Sequence, residues 1–382
     1  MNETLFRNTK PGYLNRQSGI ELLKIFGILL VVLSHVVQTL TSYDTEWSIN
    51  ISGAITNPIS FVIVILRYSG ALGNFIFFTC SAWFLLDKEN TNYQKVARMV
   101  FDIFCISIIW LISIQIFLYI NNAGKLSFED VVHSLLPTFF SNNWYMTSYI
   151  LFYLIYPFLN LIIKHLTQRK HLIISFLLFI SYFGVAFLYM FPWSSTCIFW
   201  LTIYFVLAYF KIYKTNVCNS KKINYIVLFV ALLIHILLIV AANFIYIKFG
   251  ILSAMKWNTN NNPFLFLIAF SALNLIRRAS FSNKVINYVS SLSMLIYVIH
   301  ENILFRRYLR PLIWEWVYKN VGYDLLLLWI FVFTIALFSA SLIVATVYKF
   351  TLENPVHKLS DFILSLIKRA VFFIANKFID NN

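Results

Sequence analysis

What most constrains this chain is the recurrence of apolar runs long enough to cross a bilayer, separated by short polar connections. They fall near residues 20–41, 59–86, 99–121, 144–163, 172–191, 196–210, 225–247, 263–276, 286–305 and 324–350. A hydrocarbon core takes roughly 20 apolar residues in helical form, and a helix satisfies its backbone N–H and C=O groups internally. The expected fold class is all-α: a polytopic membrane protein with about ten transmembrane helices. Composition fits that medium. Only 12% of the 382 residues are charged, where a soluble domain holds roughly 25%, and the 39 Phe, 22 Tyr and 10 Trp suit lipid-facing and interfacial surfaces.

Four cysteines (Cys80, Cys105, Cys197 and Cys218) lack CxxC or metal-ligand spacing, so neither a disulfide framework nor a metal site is expected. The first apolar run lacks a small-residue cleavage site and reads as a retained helix. A last stretch, 358–378, mixes apolar residues with Lys358, Lys368, Arg369 and Lys377, the pattern of a helix lying on the membrane surface. The expected organisation is a membrane domain over 1–355 and an amphipathic cytoplasmic tail over 356–382, without a soluble domain.

Charge asymmetry orients the spans. With the N-terminus in the cytoplasm, 22 Lys and Arg fall inside and seven outside, with Arg67 within the second span. That split follows the positive-inside rule and places both termini in the cytoplasm. It also accounts for much of the net charge of +15 without nucleic acid as a partner. Four of the seven outside charges cluster in RRYLRPLIWEWVYK, 306–319. An aromatic anchoring belt and a basic rim for a sugar or anionic acceptor both fit that segment.

The first run, GIELLKIFGILLVVLSHVV (19–37), carries Glu21, Lys24 and His35, each costly in hydrocarbon. Lys24 and His35 are eleven residues apart, which on a helix puts them within about 20° of one face and about 16 Å apart along the axis. Glu21 lies one turn from Lys24, within ion-pair reach. Snorkelling explains Glu21 and Lys24 simply. His35 lies too deep for that, and an imidazole there can act as a base or proton shuttle near neutral pH.

These residues resemble the signature of the acyltransferase 3 family, integral membrane enzymes that acylate, most often acetylate, sugars and cell-envelope polymers. The basic–ten residues–His pattern reads Lys24 to His35, with Glu21 and Lys24 where many members have Asp and Arg. Lysine lacks the bidentate contacts of arginine with phosphate or carboxylate. Further similarities follow in order: GALGNFIFFTCSAWFLL (70–86), with Ala82 where glycine is usual; NNWYMTSYILFYLIYPFLN (142–160); SLSMLIYVIHENI (291–303), with Tyr297 and His300 one turn apart; and TLENP (351–355).

The resemblance implies a membrane O-acetyltransferase. Its donor would be acetyl-CoA on the cytoplasmic side, near Lys24 and Glu21, with no permanently bound cofactor. His35, Tyr297 and His300 are the expected catalytic residues, and Arg67, Trp144, Tyr145, Arg306 and Arg307 are expected to meet the acceptor. The acceptor would be a hydroxyl of a cell-surface polysaccharide or its lipid-linked precursor, in a bacterial plasma membrane. Direct transfer and an acetyl-histidine relay both fit, as does completion of the transfer by a separate polysaccharide biosynthesis protein. Ser81 and Trp144 also suit packing, His235 reads as a core histidine, and Glu353 with Pro355 as a helix terminus. The competing function is a flippase of lipid-linked sugars, which shares the polytopic build but for which the chain offers no obvious internal repeat.

Overall fold

The structure is a computed structural model and describes residues 17–51, 53–140, 142–184, 197–250 and 257–379. The described residues form helices and connections, with no strand among them. In chain order the helices are α1 (Ser18–Thr41), α2 (Pro58–Arg67), α3 (Ser69–Leu85), α4 (Tyr93–Ile120), α5 (Phe128–Leu135) and α6 (Trp144–His165). Next come α7 (Gln168–Phe179), α8 (Cys197–Tyr213), α9 (Thr215–Asn219), α10 (Lys221–Phe249) and α11 (Pro263–Ile276). The last are α12 (Lys284–Ser291), α13 (Ser293–His300), α14 (Arg310–Asn320), α15 (Leu326–Thr351) and α16 (Glu353–Ile379).

Among the described residues, six stretches are long and apolar enough to cross a membrane: Ser18–Thr41, Pro58–Leu85, Tyr93–Ile120, Trp144–His165, Lys221–Phe249 and Leu326–Thr351. They correspond to the first four, the seventh and the tenth of the expected spans. The sixth and eighth appear as shorter apolar helices, Ile198–Tyr213 and Pro263–Ile276. The fifth begins as α7 and a π-helical turn over Ile180–Gly184; its expected end, 185–191, lies outside the described residues.

The ninth expected span, 286–305, is broken rather than continuous. The Ser293 hydroxyl donates to the Ser290 carbonyl at 2.9 Å, between α12 and α13. After His300 the chain leaves the helix at Glu301–Asn302, and Asn302 Oδ1 accepts from the Leu304 amide at 3.0 Å. Asparagine thus recaps a chain that apolarity alone would carry straight through. The expected stop around Glu353 and Pro355 appears as a change of helix at Leu352. Pro355 sits in the first turn of α16, where a missing N–H costs no intrahelical bond.

The chain clusters into two compact units: residues 1–89, 157–293 and 309–339 form the first, and 90–156, 294–308 and 340–382 the second. In the first, α1 packs along α3 through small residues. A Cβ added at Gly73 would lie 2.5 Å from the Gly27 carbonyl and 2.8 Å from Val31, and one at Gly70 would lie 2.8 Å from the Ser34 Cβ. Such close approach compensates in membranes for the weak hydrophobic drive between helices. Val32, Val36, Val37 and Leu40 of α1 then join Ile63, Val64, Trp314, Val317 and Ile330 in one core. The Trp314 indole donates to the Val36 carbonyl at 3.1 Å. In the second unit α16 packs along α4, held by Arg98 on Asp361 at 3.0 and 2.5 Å. Beside that pair, buried Asp102 accepts from Tyr348 at 2.7 Å and lies 3.1 Å from His357 Nε2.

Candidate active site

In the first unit the polar stripe of α1 is built much as its spacing requires. Lys24 Nζ lies 3.4 Å from Glu21 Oε2 and 5.6 Å from the Phe84 ring centroid. Glu21 is buried and accepts from the Ser290 hydroxyl of α12 at 2.5 Å. A charge-assisted hydrogen bond and an ion pair together offset the cost of burying this carboxylate. Ser18 extends the seam, donating to Asn287 Oδ1 at 2.8 Å and accepting from the Asn283 amide at 2.7 Å.

Three turns further along α1, His35 is half-buried, and its carbonyl accepts from Thr39 at 3.1 Å. Its neighbour Ser34 donates to the Arg67 carbonyl at 2.6 Å. Arg67 Nε donates to Thr41 at the end of α1 at 3.2 Å, and its guanidinium lies 5.0 Å from the Tyr68 ring. The break between α2 and α3 is therefore tied to α1 within two turns of His35.

The Lys24 end carries cationic groups that the reading of α1 alone omits. Lys88 is exposed as a residue, yet partial desolvation of its ammonium, and then the like charge of Lys24, hold its pKa below the ordinary lysine value. Trp83 has Lys211 and Arg277 each 4.8 Å from its ring. Lys211 also donates to the Trp83 carbonyl at 2.6 Å and to Asp87 at 2.7 Å. Lys88, Lys211 and Arg277 all fall in the expected inside loops; what the sequence hides is that two of them converge on one tryptophan.

In the second unit, His300 is fully buried with Nδ1 2.7 Å from the Ile296 carbonyl. A carbonyl only accepts, so Nδ1 carries a proton and donates it to Ile296. The Tyr297 ring stands edge-on to His300 at 5.8 Å and tilted to Tyr145 at 5.9 Å, and Trp144 stands edge-on to Tyr145 at 5.8 Å. Tyr145, Tyr297 and His300 thus form one aromatic cluster with Trp144 at its half-buried edge.

Two of the three expected acceptor arginines are held by carboxylates. Arg306 lies 2.9 Å from buried Glu301, and Arg307 pairs with Asp130, which also accepts from Tyr308 at 2.8 Å. Both arginines remain partly exposed. Glu301 and Asp130 were not among the expected site residues. Glu301 directly follows His300 at the break in the ninth apolar run, and an acid at that position is the signal that could have identified it. Asp130, 177 residues before Arg307, offers no such signal.

Together these features give a chain with a charged pair and a histidine on one membrane helix, and a buried histidine beside tyrosines where another helix breaks. This is equipment for proton transfer and oxyanion stabilisation inside a membrane protein. No curated protein and no solved structure matches the chain. A family model described as an acyltransferase domain matches residues 17–348, nearly the whole chain. The match spans the α1 stripe, the Tyr297–His300 cluster and every expected site residue, and so this protein belongs to the acyltransferase 3 family of membrane acyltransferases.

Proposed function

We propose that this protein is a membrane O-acetyltransferase that moves an acetyl group from cytoplasmic acetyl-CoA to a hydroxyl of a cell-surface polysaccharide or its lipid-linked precursor. The observation that carries the reading is the α1 stripe: a buried Glu21 paired with half-buried Lys24 and, eleven residues after Lys24, His35 on the same face. A sugar hydroxyl is a weak nucleophile at neutral pH. His35 removes its proton as the oxygen attacks the thioester carbonyl. The negative charge that develops on the carbonyl oxygen is met by a hydrogen-bond donor, for which Tyr297 and His300 are the candidates. Collapse of the tetrahedral intermediate breaks the carbon–sulfur bond, and the departing thiolate takes up the proton held by His35. In the relay variant the His35 imidazole attacks first, releases CoA, and then yields its acetyl group to the hydroxyl.

Lys24, with Lys88, Lys211 and Arg277, supplies positive charge for the anionic donor. Arg67, Trp144, Tyr145, Arg306 and Arg307 are assigned to the acceptor. The setting we propose is the plasma membrane of a bacterium, alongside other polysaccharide biosynthesis proteins.

The deciding experiment compares surface glycans from cells with and without the gene by NMR and mass spectrometry. Loss of acetyl esters with the polymer preserved is the expected result. Loss of polymer export with ester content per repeat unchanged would replace this reading with the flippase.

A further inference from the structure

Within the first unit, one side of α1 is apolar from Leu22 to Leu29. Leu22, Ile25, Phe26 and Leu29 follow one another at helical spacing, on a face distinct from that of Glu21 and Lys24. Together with Tyr225 near the start of α10 and Ala272, Leu275 and Ile276 at the end of α11, they line an open cavity of about 560 Å³. Its origin lies in the packing: α11 lies closely along α10 and touches α1 more sparingly, so a furrow remains between α1 and α10. With Ala272 among the lining residues, little side-chain volume fills it.

Leu22, Phe26 and Tyr225 are exposed, so the furrow opens laterally rather than into the interior. In a membrane protein the medium at such an opening is lipid. From Leu22 to Leu29 the furrow runs about 10 Å along α1, the reach of the upper part of an acyl chain. The volume lies in the range of formed ligand sites, roughly 300–1,000 Å³.

Charge marks one end. Lys221 and Lys222 precede Tyr225 by one helical turn on α10, and Arg278 follows Ile276 by two residues; all three are exposed. The first turn of α10 contains no acidic residue. The nearest acid on α1, Glu21, is buried on Ser290 and Lys24. The three cations therefore lie within a helical turn of the lining residues Tyr225 and Ile276, at the end of the slot where Gly19, near the N-terminus of α1, meets Ile276.

We propose that this furrow is a specific site for one anionic phospholipid, its acyl chain along Leu22–Leu29 and its phosphate against Lys221, Lys222 and Arg278. The lipid closes the first unit where α1 and α10 diverge. The site is independent of the acyl-transfer reading, and it holds whichever substrate the enzyme uses.

The test is native mass spectrometry of the purified, delipidated full-length protein titrated with phosphatidylglycerol or with phosphatidylcholine of the same acyl chains. The wild-type protein is expected to retain one phosphatidylglycerol in strong preference to phosphatidylcholine. The exposed triple variant Lys221→Gln, Lys222→Gln, Arg278→Gln is expected to lose that preference, by about fivefold for each charge removed. Equal retention of the two lipids by the wild-type protein, or unchanged preference in the triple variant, overturns the proposal. Ala272→Phe fills the slot and is expected to weaken retention of phosphatidylglycerol while the triad is intact. Full retention in an Ala272→Phe protein that melts like the wild type would likewise overturn it. If that variant misfolds, the triple variant, altered only at exposed positions, decides alone.

Discussion

The Ser290 hydroxyl donates to Glu21 at 2.5 Å, joining the broken ninth run to the first helix across 269 residues of sequence. A carboxylate buried this deeply depends on that donor as much as on Lys24, because a charge deprived of a partner bears its full desolvation cost. Ser290→Ala is expected to destabilise the protein by about 1.5–3 kcal/mol, as for a lost hydrogen bond to a charged group. Thermal unfolding in detergent measures this. Ser290→Thr, which keeps the hydroxyl, should recover most of the loss; an unchanged midpoint in Ser290→Ala would show that Glu21 does not rely on the bond.

His35→Ala is expected to abolish ester formation while the protein still accumulates in the membrane. The side chain is half-buried rather than a keystone of packing, so its removal should leave the fold largely intact. Glycan NMR read beside membrane protein levels separates the two effects. Wild-type ester content in the variant would remove His35 from the chemistry.

The position of Lys24 yields a prediction about the donor. Lys24→Arg keeps the charge and is expected to stay active, whereas Lys24→Gln should chiefly weaken acetyl-CoA binding, while the Ser290 hydrogen bond to Glu21 remains. Donor affinity of the purified proteins by calorimetry is the measurement. Equal affinity in wild type and Lys24→Gln would make Lys24 a structural partner of Glu21 only.

Gly73 tests the packing that holds α1 in place. An added side chain there meets the Gly27 carbonyl at 2.5 Å, and backbone cannot move aside cheaply. Gly73→Val is therefore expected to destabilise by about 1–3 kcal/mol through overpacking. Gly53, where an added Cβ meets nothing within 4 Å, is the control, and Gly53→Ala should leave the melting temperature unchanged. Similar melting of the two variants would mean that the α1–α3 seam is looser than its geometry indicates.

How much of this was legible beforehand depended on the range of each interaction. The Glu21–Lys24 pair and the Tyr297–His300 neighbours follow from helical spacing, which is local. Ser290 on Glu21 and Asp130 on Arg307 join residues 269 and 177 positions apart, and neither segment's pattern announces the other. The break of the ninth run was hidden for a different reason. Its residues up to His300 are mostly apolar, with only small polar side chains at Asn287, Ser290, Ser291 and Ser293, and single hydrogen bonds from Ser293 and to Asn302 accompany its two interruptions. Hydropathy registers the medium around a segment but not the backbone geometry within it.

The last prediction concerns orientation, which rests on the distribution of Lys and Arg. With 22 such residues on one side and seven on the other, the loops 42–58 and 306–319 should lie outside and 87–98 and 211–222 inside. In a variant lacking the four native cysteines, single cysteines at Thr45 and Lys319 should react with an impermeant thiol reagent on intact cells. Cysteines at Asn90 and Asn219 should react only after permeabilisation. Thr45, Asn90, Asn219 and Lys319 are all exposed, so failure to label reports sidedness rather than burial. Labelling of residue 319 only from inside would place Arg306 and Arg307 on the donor side of the membrane. Their pairing with Glu301 and Asp130 would then serve the fold alone, and the acceptor would have to be met by Arg67 and the Trp144–Tyr145 edge without them.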